Sequence, residues 1–185
     1  MGLMERFLPR HQFAERHHLG VRCDASPLLD AAERVVGEDD PLVNRLIAVR
    51  EAPARLLGRL GLSHRLPQRP FGLADFTPLG RDGDQEIAFG LAGRFWQSDY
   101  GLEPVASAES FLALRDTPKL VMNFVALSSH DGQTMLATHT RVFCPDATSL
   151  QRFAPYWYLI RPVSGLIRLR LLRRIARAAA PTPSA

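Results

Sequence analysis

Between Glu15 and Cys23 apolar and polar positions alternate. Leu19, Val21 and Cys23 point one way, and His18, Gly20 and Arg22 the other. That period of two predicts a half-buried first strand. Asp24 and Ser26-Pro27 then supply a cap and a first-turn proline for a helix. Leu28, Leu29, Ala32 and Val36 form its buried stripe, and Gly37 ends it. Asp40-Pro41 opens a further helix carrying Leu42, Leu46, Ile47 and Val49. Pro53 starts a short helical run through Leu56, Leu57 and Leu60.

The middle of the chain changes character. Pro67, Pro70, Gly72, Pro78 and Gly80 punctuate short extended pieces, and Arg81–Asp84 (RDGD) is a hairpin signal. The following strand, QEIAFGL, has Ile87, Phe89 and Leu91 on one face and Glu86, Ala88 and Gly90 on the other. Gly93 leads into a further strand, RFWQS, with Phe95 and Trp96, and SAESFLAL predicts a helical turn. Two long strands come next, Lys119 to Ser129 and Gln133 to Phe143, joined through the Asp-Gly turn of His130–Gln133. LVMNFVAL is apolar on both faces except at Asn123, as a central strand covered on both sides should be.

The last segment reads as helix. Thr148 or Ser149 caps it, and Arg170, Arg173, Arg174 and Arg177 recur at i, i+3, i+4 and i+7, with Leu171, Leu172, Ile175 and Ala179 roughly opposite. Pro155 and Pro162 predict breaks or kinks, with a bend near Ser164-Gly165. The final PTPSA predicts a disordered tail.

Composition narrows the class. With 185 residues, 46% hydrophobic and 23% charged, the chain has material for one sizeable core. Nearly all positive charge is arginine, and Lys119 is the sole lysine. After Asp146 there are seven arginines and no acidic residue, so the remainder is net negative. Such asymmetry marks a solvated helix face, an anionic membrane surface or a nucleic-acid surface. The solvated face is the first reading. Transient membrane contact through Arg170, Arg173, Arg174 and Arg177 is the second. Nucleic acid is not expected, because no interleaved aromatics or binding motif accompany the charge. Two cysteines, Cys23 and Cys144, do not make a disulfide framework, and a reducing cytoplasm is the default. The first residues contain no uninterrupted apolar run of a secretory leader. The longest strongly apolar run anywhere, Leu120 to Leu127, is too short to span a bilayer.

The order of elements is strand, two or three helices, hairpin-connected strands, long C-terminal helix. It is similar to the helix-grip fold of the START-like superfamily (polyketide cyclase and lipid transport, SRPBCC). Four pieces resemble an uncharacterised bacterial branch: QEIAFGLAGRFW (Gln85–Trp96), KLVMNFVAL (Lys119–Leu127), ATHTRVF (Ala137–Phe143) and FAPYWYLIRPVSGLIRLRLLRRIA (Phe153–Ala176). They keep Glu86, Gly90, Gly93, Trp96, Thr138, Thr140, Arg141, Val142, Tyr156, Trp157, Arg161, Ser164, Gly165, Ile167 and Arg168. The branch would carry a glutamate where this chain has His139. The resemblance implies an α+β fold with a curved seven-stranded antiparallel sheet around the C-terminal helix, and an apolar cavity between them. Residues 14–178 would form that domain, after an N-terminal extension of residues 1–13 and before a disordered tail of residues 179–185.

The candidate site residues are Glu86, Trp96, Asn123, His139, Arg141 and Trp157. His139 and Arg141 share a strand face, and Glu86 could meet them there. Such a cluster binds an anionic or carbonyl group or moves a proton, or it is a structural salt bridge fixing register. Asn123 holds a ligand carbonyl or a neighbouring backbone group. Trp96 and Trp157 wall a pocket or fill core. His17 and His18 face opposite ways and cannot share a metal from one strand. His11, His64 and His130 lack partners at ligand spacing, so neither a metal site nor a cofactor is expected. The leading expectation is binding or transport of a small hydrophobic ligand, such as a lipid, isoprenoid or polyketide-like molecule. The alternative is a cyclase or dehydratase using Glu86, His139 and Arg141. A third class is a closed-core structural or regulatory partner.

Overall fold

Five antiparallel strands pair in one open sheet in the order β1-β5-β4-β3-β2. The computed structural model describes residues 2–38, 72–97, 101–128 and 133–180. Its elements are α1 (Leu3–Phe7), β1 (Phe13–Val21), α2 (Ala25–Gly37), a short 3-10 turn (Leu73–Asp75), β2 (Thr77–Asp82), β3 (Glu86–Ala92), α3 (Ala108–Ala113), β4 (Lys119–Ser128), β5 (Thr134–Phe143) and α4 (Ala147–Ala179). The chain is thus an α+β protein with a long C-terminal helix. Among the described residues the sheet has five strands, where the resemblance implies seven. The helices expected near Leu42–Val49 and Leu56–Leu60 lie outside the described residues, as do most of the His130–Gln133 turn and the PTPSA tail.

Alternation sets two faces. Phe13, Ile87, Phe89, Met122, Phe124, Leu136 and Val142 join the core formed with α2 and α4. Ala88 and Val121 point the other way and pack with Leu3, Met4, Phe7, Leu8, Leu79 and Phe111. β4 is buried on both sides for this reason, as its double apolar pattern requires. Gly90 makes the second layer possible. A Cβ there would lie 2.8 Å from Leu79 Cδ1 and 2.9 Å from Phe111 Cε2. The β2–β3 connection turns at Gly83, whose φ of 50° suits an Asp-Gly turn. Arg81 ties this hairpin to α2 through Asp30 at 2.6 Å.

Three local expectations need correction. Residues 94–97 of RFWQS are not a strand: Gln97 N–H donates to the Arg94 carbonyl at 2.8 Å and closes a turn, after a single bridge from Gly93 to Leu102. The C-terminal helix is capped by Asp146, which accepts from Ser149 N–H at 2.9 Å, rather than by Thr148 or Ser149. It also runs unbroken through Pro155 and Pro162. Both prolines are exposed, as are Gln151 and Tyr158, whose carbonyls lose their helical partners, so water can satisfy them. Burial of Phe153, Trp157, Ile160 and Ile167 on the other side holds the helix to its course.

Candidate functional site

The sequence-predicted residues divide between the two faces. Glu86, the first residue of β3, is 7% exposed and faces α1. Its Oε2 accepts from Leu3 N–H at 2.7 Å, and its Oε1 accepts from Met4 N–H at 3.1 Å. Asn123 Nδ2 donates to Oε1 at 2.6 Å. Asn123 Oδ1 in turn accepts from the backbone N–H of His139 at 2.9 Å. A carboxylate in the first turn of a helix satisfies amides that have no intrahelical acceptor. Glu86 and Asn123 therefore fasten α1 to the sheet, within the segment the sequence suggests is only an extension.

Arg141 does not pair with Glu86. Its guanidinium donates to Glu5 Oε1 at 2.6 Å and to the Leu8 carbonyl at 3.3 Å, clasping the outer side and the end of α1. That hydrogen bond holds the Glu5 carboxyl below its ordinary range. His139 shares the face, half-buried, and burial lowers its pKa, helped by Arg16 and Arg141 and opposed by Glu86. The expected Glu86–His139–Arg141 pocket under the C-terminal helix is thus replaced by a structural cluster on the opposite face. The cause is α1, a single turn whose backbone amides reach Glu86 first.

Trp96 and Trp157 lie on the α4 side. Both surround Phe153, with ring centroids 6.3 Å and 6.0 Å from it. Phe13 meets Phe153 at 5.0 Å and Trp157 at 5.6 Å. These rings pack edge-on and tilted, in arrangements that aromatic quadrupoles favour.

A second polar group, not among the candidate site residues read from the sequence, lies beneath α4. On β1, His17 Nε2 stands 2.8 Å from Glu15 Oε1, and the two side chains are 20% and 9% exposed. Register places Glu15 beside Thr140 and Met122, and His17 beside Thr138 and Phe124. From α4, Gly165 lies directly over the pair: a Cβ there would sit 3.3 Å from Glu15 Oε1 and 3.4 Å from His17 Cε1. One turn further on, Arg168 is buried and its Nη1 contacts Met122 Sδ. Thr138 and Thr140 are buried as well, and Thr138 Oγ1 has no hydrogen-bond partner among the described residues. A buried hydroxyl without a partner is uncommon, because its lost hydration is not replaced.

Signals for this group exist in the sequence. Glu15 and His17 are two apart on an alternating strand and so share a face. Arg168 precedes Leu171, Leu172 and Ile175 by three, four and seven positions, on the apolar stripe and not on the arginine stripe. That arginine stripe is only partly solvated: Arg173 and Arg177 are exposed, while Arg170 and Arg174 are half-buried and Arg174 meets Glu38 Oε2 at 3.0 Å.

Chemically, the α4-side group offers a carboxylate–imidazole pair, two hydroxyls and a guanidinium inside an apolar layer. It can orient one polar end of an otherwise apolar molecule. Among the described residues, no three of His, Cys, Asp and Glu converge as metal ligands would. The two cysteines are unpaired, and burial pushes the Cys144 thiol up to about 11. No described helix is long and apolar enough to cross a membrane. In comparison with known proteins, no family model matches the chain, and no curated protein matches it.

Proposed function

We propose that the chain binds a small hydrophobic molecule of lipid, isoprenoid or polyketide-like type between the sheet and the C-terminal helix, as a helix-grip protein of the START-like kind. The observation that carries this reading is Thr138. Its hydroxyl is buried without a partner among the described residues, on the face that also bears Glu15, His17, Thr140 and, from α4, Arg168. Around these groups the layer is apolar and aromatic, so burial supplies affinity and the polar groups supply orientation. Arg173 and Arg177, exposed on α4, suit brief contact with an anionic membrane during loading.

A proton-transferring cyclase or dehydratase is the second reading, favoured by the Glu15–His17 pair. A carboxylate that fixes an imidazole prepares it as a general base. In this reading Glu15 and His17 take the roles that Glu86, His139 and Arg141 cannot share beneath α4.

The test is titration with a fluorescent fatty acyl probe. Thr138→Val should weaken binding about tenfold, the effect of one lost polar contact, while leaving the unfolding midpoint unchanged or raised. Equal affinity in the two proteins would count against a ligand at Thr138.

A further inference from the structure

A cleft of about 490 Å³ opens on the α1 side of the molecule. Its walls are the end of α1 with the chain after it, the segment after α3, the start of β4 and the end of β5. Four cations line it, Arg6, Arg10, Arg115 and Lys119, against one carboxylate, Asp116. Three arginines elsewhere are paired: Arg81 with Asp30, Arg141 with Glu5, Arg174 with Glu38. Among the described residues, none of the four cleft cations forms an ion pair.

Lys119 is the informative member. It is the only lysine in the chain and is 8% exposed. Its Nζ donates to the Leu112 carbonyl at 3.5 Å and stands 5.0 Å from the centre of the Phe111 ring. Burial, and then the charge of Arg115, lowers its pKa. Taking a cation out of water with only a long hydrogen bond and a ring face in return is costly, and a bound anion would remove that cost. Arg6 is exposed and lies over the Phe7 ring at 5.3 Å. Glu109 feels the charge of Arg6 but does not pair with it. Phe7, Leu8 and Phe143 supply an apolar wall beside the cations.

We infer that this cleft is a second binding site, for an organic phosphate. Its phosphoryl oxygens sit between Lys119 and Arg115, within reach of Arg6 and Arg10, and its organic part lies against Phe7 and Phe143. Several cations, with arginine forks among them, suit a dianion with three acceptor oxygens better than a single carboxylate. The site lies across the sheet from Thr138 and Arg168 and is independent of the ligand proposed there.

The sole lysine makes the test direct. Protein labelled with carbon-13 lysine gives one side-chain Cε signal to follow by NMR. Phenyl phosphate should shift that signal and raise its titration midpoint, whereas phenol should do neither. By calorimetry, Arg115→Gln and Lys119→Met should each weaken phenyl phosphate binding about tenfold, one charge-assisted contact each. Arg115 is exposed, so its variant keeps the fold. Phosphatidylcholine vesicles containing phosphatidic acid identify the source. If they shift the same signal, the phosphate is a lipid headgroup; if only phenyl phosphate does, it is a soluble ester, and both outcomes support the site. An unmoved lysine signal, an equal response to phenol, or undiminished binding by Arg115→Gln would overturn it.

Discussion

Asn123 donates to Glu86 at 2.6 Å while its own carbonyl accepts the backbone N–H of His139, so one amide links β3, β4 and β5 beneath α1. Removing the carboxylate strands three donors, the amides of Leu3 and Met4 and the Asn123 side chain. Glu86→Ala should therefore destabilise by about 3 kcal/mol, the scale of hydrogen bonds to a buried charged group. Urea unfolding measures this. A loss no greater than that of Glu5→Gln, which touches only the solvent-facing Arg141 pair, would contradict the fastening role.

The same contact makes a thermodynamic coupling measurable. In a double-mutant cycle with Glu86→Gln and Asn123→Leu, the two losses should fall short of additivity by about 1 kcal/mol or more. Strict additivity would mean that the two side chains act separately.

Gly90→Ala tests the second packed layer. The new methyl meets Leu79 and Phe111 at under 3 Å, and overpacking of that kind costs about 1–3 kcal/mol. An unchanged thermal midpoint would show that Leu79 of β2 and Phe111 of α3 yield freely, and that this layer is loosely held.

Acid sensitivity follows from His139. Its folded pKa is lowered, chiefly by burial, so the unfolded chain takes up the proton first. The stability from keeping His139 neutral is fully present above its unfolded value of about 6.5. It is lost as pH falls from there through the lower folded value. His11, also lowered by burial, acts in the same direction. His139→Gln should reduce the drop in unfolding free energy between about pH 7.5 and about pH 5. A drop as large as in the parent protein would assign the sensitivity elsewhere.

Much of this architecture is legible in the residues, and the rest is hidden for identifiable reasons. The alternation from Leu19 to Cys23, the stripe of α2 and the two Asp-Gly signals report local geometry, and the observed pairing of β2 with β3 and β4 with β5 follows it. Glu86 is different. Its partners are 82 and 83 residues away, in a helix of one turn too short to show a period. The continuity of α4 is hidden because a proline rule weighs the backbone alone, whereas both prolines fall on the solvent side of an element fixed by packing. Arg168 is named in the C-terminal motif, but its inward placement is visible only when the apolar stripe is traced back past Leu171. Glu15 and His17 appear once the strand's alternation is read for polar residues as well as apolar ones.

Thr138→Val separates structure from function on the α4 side. The hydroxyl has no described partner, so replacing it with a methyl should leave stability unchanged or slightly raised. A loss above about 1 kcal/mol would show that the hydroxyl is satisfied within the fold, and the site would lose its anchor.

Native mass spectrometry of freshly purified protein tests the central claim most directly. The account predicts a species heavier than the chain, reduced to the bare chain by organic extraction, and less populated in Thr138→Val than in Glu86→Ala at equal folded fraction. Bare chain alone in the parent protein, with no shift on incubation with mixed lipid extract, would contradict it.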